Sequence, residues 1–252
     1  MPTSRLRSLV FASIMSIPGF ADPVSAFTHL GGAGVFGGLG LRLVWRGRRR
    51  GWHAVGLAIF AFSCVLLLAA SGVFHLLGPG PGRSVMQRID HAAIFVLIAG
   101  TFTPIHAMLF RGFLRWGVLA FIWSAAATGI ALKTVYFHGF PEWLGVVLYL
   151  GLGWVGGVSM IVLWRSHGFA FGQRMVYAGL AYTCGAAVEL LNWPTLLPGV
   201  IGPHELFHVF VLIGAGFFWA FVEKIERLMP GRDAAPQPGG AGMPRAAERP
   251  PA

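Results

Sequence analysis

The chain has 252 residues, of which 56% are hydrophobic and only 11% charged, and its mean hydropathy is +0.69. A soluble domain of this size carries about a quarter charged residues, so a soluble globular class is excluded. The net charge of +10 sits in short loops and the C-terminal tail, with no basic stretch interleaved with aromatics, which excludes nucleic-acid binding.

The apolar residues gather into long blocks rather than strand-like alternation, and each block approaches the ~20 residues a helix needs to cross the hydrocarbon core. The first 23 residues form a lead-in. Arg5, Arg7, the apolar Leu9–Ile17 and the small-residue Gly19-Phe20-Ala21 loosely resemble a signal peptide; the alternative is a short amphipathic segment lying on the membrane. Seven spans are then predicted near residues 24–44, 54–77, 91–110, 113–132, 143–164, 174–192 and 204–223. The expected fold is an all-α, polytopic seven-transmembrane-helix bundle over residues 24–229. The thirty-six glycines suit close helix packing in lipid. Residues 230–252, rich in Pro, Gly, Ala and Arg, have too little apolar bulk to fold and read as a disordered tail. Cys64 and Cys184 build neither a disulfide framework nor a CxxC metal motif and read as small core residues.

Polar residues inside or at the edge of spans are costly and mark function. His204 and His208 open the seventh span one helical turn apart, just after Pro203, a residue suited to the first turn of a helix. Ser71 and His75 share a helix face by the same four-residue spacing at the end of the second span. Asp90 begins the third. Four crossings separate the start of the third span from the start of the seventh, so all three points fall at one face of the bilayer. Three imidazoles, His75, His204 and His208, leave one open position on a tetrahedral metal, as at a catalytic zinc. Asp90 then accepts a hydrogen bond from the bound water, and Ser71 orients a ligand or substrate carbonyl.

His204-Glu205-Leu206-Phe207-His208 also matches H-E-x-x-H, in which Glu205 acts as general base of a metalloprotease. That reading lacks a downstream third ligand. Glu223 and Glu226 continue the same helix at least about 22 Å away at 1.5 Å per residue. Glu189, inside the sixth span, is read either as a cavity-lining proton acceptor or as a partner of Asn192. His29 starts the first span on the site face, where it can support a metal ligand. His91 points about 100° from Asp90 on a helix, and His53, His106, His138 and His167 are expected in interfacial or loop positions.

At these residues the sequence resembles the hemolysin III family, relatives of the progestin and adipoQ receptors. The resemblance rests on Asp22-Pro23-Val24-Ser25 leading to Thr28-His29, and on Ser71-Gly72-Val73-Phe74-His75. It rests equally on Arg88-Ile89-Asp90-His91 running into Ile98 to Pro104, and on His204 to His208 followed by Val209-Phe210-Val211. It implies a seven-helix bundle with zinc held by His75, His204 and His208, Asp90 bonded to the zinc water, and Ser71 nearby. Because the wider superfamily includes alkaline ceramidases, it also implies a hydrolase of lipid amides or esters, with membrane lipid as substrate or ligand and a role in membrane-lipid homeostasis. The alternative in a different class is a non-enzymatic sensor or cytolysin with a structural metal. The expected location is the bacterial cytoplasmic membrane.

The site face carries Arg5, Arg7, Arg83, Arg88 and Lys133, and the other fourteen of the 19 basic residues fall on the opposite face or in the tail. By the positive-inside rule the C-terminus is cytoplasmic and the metal site faces outward. The receptor relatives imply the reverse orientation.

Overall fold

A computed structural model describes residues 22–229 except Arg50, His138 and Phe140; the lead-in before Asp22 and the tail from Pro230 lie outside the described residues. Seven helices follow one another: α1 (Pro23–Gly47), α2 (Trp52–Leu76), α3 (Pro81–Leu109), α4 (Gly112–Val135), α5 (Glu142–His167), α6 (Phe169–Leu191) and α7 (Pro203–Leu228). All but α6 are long and apolar enough to cross a membrane. The shortfall of α6 reflects Gln173 and Arg174 near its start and Glu189 near its end. Backbone polar groups have no water to bond in hydrocarbon, so an apolar chain of this kind closes its hydrogen bonds within helices.

The helix boundaries follow local chemistry. Prolines occupy the first turns of α1, α3 and α7, where a missing N–H costs nothing. Gly168 ends α5 and starts α6 at φ 80°, a left-handed conformation open to glycine. Gly72 permits the close approach of α1 and α2, since a Cβ there would come within 3.0 Å of the Leu30 backbone nitrogen. That approach brings the start of α1 against the end of α2.

Two apolar cores hold the bundle. One joins α1, α2, α3 and α7 around Leu57, Phe60, Leu68, Phe221 and Val222 and takes in Met160 and Leu163 of α5 and Met175 of α6. The other joins α3, α4 and α5 around Phe95, Phe102, Ile122 and Leu152. Large apolar side chains also face outward on several helices, among them Leu41, Phe62, Phe113 and Val158. Such a surface would be an aggregation hazard in water and is the ordinary lipid-facing surface of a membrane bundle. Cys64 is buried in the first core as expected, whereas Cys184 is exposed on the outer side of α6, because its helix turns its small glycine and alanine face inward. His106 also departs from expectation. It is buried, with Nε2 2.9 Å from Ser159 Oγ and Nδ1 against the Leu114 carbonyl, and its ring stacks on Phe102 and Phe110.

At the end of the bundle formed by the last turns of α1 and α7, Arg46 bridges Glu223 at 3.1 Å and the buried Glu226 at 2.8 Å. These two acids thus tie α7 to α1, far from the histidines. A cavity of about 1390 Å³ lies within the bundle, lined by residues of all seven helices, among them the polar residues described next.

Candidate metal centre

The end of α2 and the start of α7 meet at one end of the bundle, as the parity of crossings requires. Four residues apart on α7, His204 and His208 point the same way, and His75 faces them from the last turn of α2. His204 Nε2 lies 3.3 Å from His75 Nε2 and 3.0 Å from His208 Nε2. One ligand atom from each of the three fits within 4.8 Å of the others. Tetrahedral Zn–N bonds of about 2.0–2.1 Å hold their nitrogens roughly 3.3 Å apart, so this spacing is that of a ligand set.

The far side of each ring explains why the three converge. His75 Nδ1 donates to Asp22 Oδ2 at 3.0 Å, and His204 Nδ1 donates to Glu189 Oε1 at 3.1 Å. A carboxylate only accepts, so the proton of each neutral ring sits on Nδ1 and the lone pair on Nε2. With both rings neutral, two lone pairs then face each other across 3.3 Å, an arrangement that a metal ion or a proton between them relieves. His208 Nδ1 meets His29 Nε2 at 2.8 Å in the interior, with His29 itself only 2% exposed. The residues present therefore fit a divalent metal of the kind imidazole favours.

Asp22 is the most connected of the supporting groups. Besides His75 it accepts from Arg83 at 2.9 Å, and its backbone N–H donates to the His75 carbonyl at 3.0 Å. Arg83 in turn donates to the Phe74 and Leu77 carbonyls that end α2. The His75 hydrogen bond, with Arg83 adding to it, holds the Asp22 carboxyl down at about 2. Its contribution is thus complete above the ordinary carboxylate value near 4 and is lost only as pH falls through about 2. Replacing Asp22 by Asn, which frees the tautomer of His75, should weaken metal affinity by roughly 10–100-fold at neutral pH. Competition against a fluorescent chelator measures this; an unchanged affinity would remove Asp22 from the site.

Asp90 and Ser71 line the same cavity. Asp90 is 8% exposed and Ser71 1%. Ser71 Oγ has no hydrogen-bond partner and stands beside the Asp90 carboxyl. Glu205 does something else. Its Oε2 accepts from the Gly202 N–H at 2.9 Å and its Oε1 from Ser25 Oγ at 3.4 Å, so it caps α7 and ties it to α1. Glu189 does not pair with the Asn192 side chain; Asn192 ends α6 in a left-handed conformation, and the Glu189 carboxylate turns to His204. Sequence reasoning named Asp22 only within a motif and missed its role. The available signal was an acid at the N-terminal cap of a span on the site face.

A model of haemolysin-III-related proteins matches residues 20–219. The chain belongs to this family. It is 30% identical to the hemolysin-3 homolog of Bacillus subtilis (strain 168) over 65% of this chain and 74% of that protein. Identity to hemolysin-3 of Bacillus cereus is also 30%, over 66% of this chain and 72% of its relative. A heptahelical transmembrane protein, ADIPOR2 of Oryza sativa subsp. japonica, is 28% identical over 69% of this chain and 82% of its own length. The match to the haemolysin-III-related family spans all seven helices but the final turns of α7, and takes in every residue of the histidine centre.

Proposed function

We propose that this haemolysin-III-related chain is an integral membrane zinc hydrolase of lipid amides or esters, acting in membrane-lipid homeostasis. The observation that carries this reading is the convergence of the His75, His204 and His208 Nε2 atoms at one mouth of a large apolar cavity. Three protein ligands, with no fourth His, Cys, Asp or Glu grouped with them among the described residues, leave the open coordination position of a catalytic site rather than a closed structural one. What zinc supplies when held by three imidazoles is Lewis acidity, lowering the pKa of a water at its open position towards about 7 and polarising a carbonyl oxygen.

The chain's own residues do the rest. Asp22 and Glu189 keep the Nε2 lone pairs of His75 and His204 turned inward. An Asp90 carboxylate oxygen takes the proton of the attacking water, and the Ser71 hydroxyl donates to the substrate carbonyl to orient it. The apolar walls of α3, α5 and α6 hold the acyl chains and exclude bulk water. The arginine distribution supports an outward-facing site and a cytoplasmic C-terminus.

Purified protein given long-chain N-acyl amides and acyl esters in mixed micelles should release free fatty acid, measured by mass spectrometry. A chelator should abolish the release and added zinc restore it. A fully metallated protein that releases nothing from either class would sink the hydrolase reading in favour of a structural metal in a non-enzymatic protein.

A further inference from the structure

The end of the bundle opposite the histidines holds an arginine mounted on tryptophan. Trp52 begins α2 and Trp116 lies near the start of α4, and their rings stack with centroids 5.4 Å apart. Counted along α2 at 1.5 Å per residue, Trp52 is about 35 Å from His75. The Arg115 guanidinium lies 4.9 Å above the Trp52 ring, a cation–π contact, and its Nε donates to the Phe110 carbonyl at 2.6 Å.

An arginine near the end of a span is ordinarily a topology determinant on a long, mobile stem. Arg48, over the ring of Trp45 three residues before it, makes a contact of that local kind. Arg115 differs, because its ring partner comes from another helix and only the fold brings the two together. Its side chain is half-buried, whereas Trp52, Trp116 and Phe113 around it stay exposed. The Nε–H bond uses one of five N–H donors, and the planar fork of the two amino groups is the part that grips a phosphate bidentately. Holding that fork in advance lowers the ordering cost of binding. The charge around it has one sign. Arg111 is exposed at the turn between α3 and α4, and neither α2 nor α4 has an acid in its first turn or a side-chain cap at its start. The acids described at this end, Glu223 and Glu226, are engaged by Arg46, and Glu223 also by Arg227.

We propose that Arg115, seated on Trp52 and flanked by Arg111, is a docking site for the phosphodiester head of an anionic membrane phospholipid. The amino groups of Arg115 donate to the phosphate oxygens, and Arg111 adds a second positive charge. Trp116, Phe113 and Val55, all exposed, give the glycerol and upper acyl chains an apolar seat, so the occupant is a lipid rather than free phosphate. Aromatic rings at the end of a span suit the boundary between headgroups and chains. The site is independent of the proposed hydrolase chemistry, and it places an anionic lipid in the leaflet beside the arginine-rich loops.

The test is lipid retention by the full-length protein, read by native mass spectrometry after exchange into mixed micelles. Equimolar phosphatidylglycerol and phosphatidylcholine of identical chains compete, with inorganic phosphate in a separate arm. Wild type should retain the anionic lipid over the zwitterionic one by roughly tenfold, the scale of one hydrogen bond to a charged group. Arg115→Gln should erase most of that preference. Arg115→Lys keeps the charge but loses the fork and the stacked plane, and should keep less than about half of it. Arg165 is an exposed arginine at the end of α5 on the same face, and Arg165→Gln should behave as wild type. Helical circular dichroism should be the same in all of them; if Arg115→Gln loses it, Arg115→Lys decides, and a full preference there overturns the site. A wild type without preference, an intact preference in a folded Arg115→Gln, an equal loss in Arg165→Gln, or displacement of the lipid by inorganic phosphate would each overturn it as well.

Discussion

His208→Ala should lower the metal content of the purified protein from about one ion per chain to less than about a tenth of that, with zinc the metal recovered. His208 supplies the third nitrogen, 3.0 Å from that of His204, and it comes from the interior, 3% exposed and braced by His29. Loss of a group that merely orients a ligand costs roughly 10–100-fold in affinity, and loss of the ligand itself costs more. Two imidazoles alone do not hold the ion through purification. Elemental analysis of wild type and variant, side by side in detergent, measures the difference. The exposed His167, at the end of α5, is the control, and His167→Ala should leave the metal in place. Equal metal in wild type and His208→Ala would end the assignment of this site.

The second large effect is on turnover. Asp90→Asn keeps the size and shape of the side chain and its place beside Ser71 but removes the ability to accept a proton. Fatty acid release should fall by roughly 10²–10⁴-fold, the usual contribution of general acid–base catalysis. Metal content should not change, because Asp90 is not grouped with the three histidines. The pairing of the two variants is informative. His208→Ala loses metal and activity together, whereas Asp90→Asn loses activity alone. An Asp90→Asn protein with wild-type release would show that the cavity carboxyl has no part in the chemistry.

Much of the site was legible in order and spacing. The four-residue separation in His204–His208 and Ser71–His75 places each pair on one helix face, and that geometry is local. Crossing parity brings the end of α2 and the starts of α3 and α7 to one face whatever the packing. Reach along a helix excluded Glu223 and Glu226 as ligands, and both are found bridging to Arg46 at the other end. Of the two readings of Glu189 the cavity-lining acceptor holds and the Asn192 pairing does not, and the interfacial placing of His106 gives way to a buried one. Each depends on which neighbouring helix a side chain faces, and hydropathy is blind to rotation of an apolar helix about its own axis.

From sequence alone came a bundle of membrane helices, because runs of apolar residues in lipid can satisfy their backbone only as helices, and a cluster of histidines at one of its ends. Tertiary structure decided which acid faces which imidazole. Asp22 meets His75 because Gly72 lets α1 and α2 close together, and Glu189 meets His204 because α6 lies against α7. Those choices follow from helix rotation and side-by-side order, which close packing of small residues sets in a bilayer. In that packing the Nδ1 sides of His75 and His204 face Asp22 and Glu189, and a pair of spaced histidines joins a third in a cluster that could hold a metal ion.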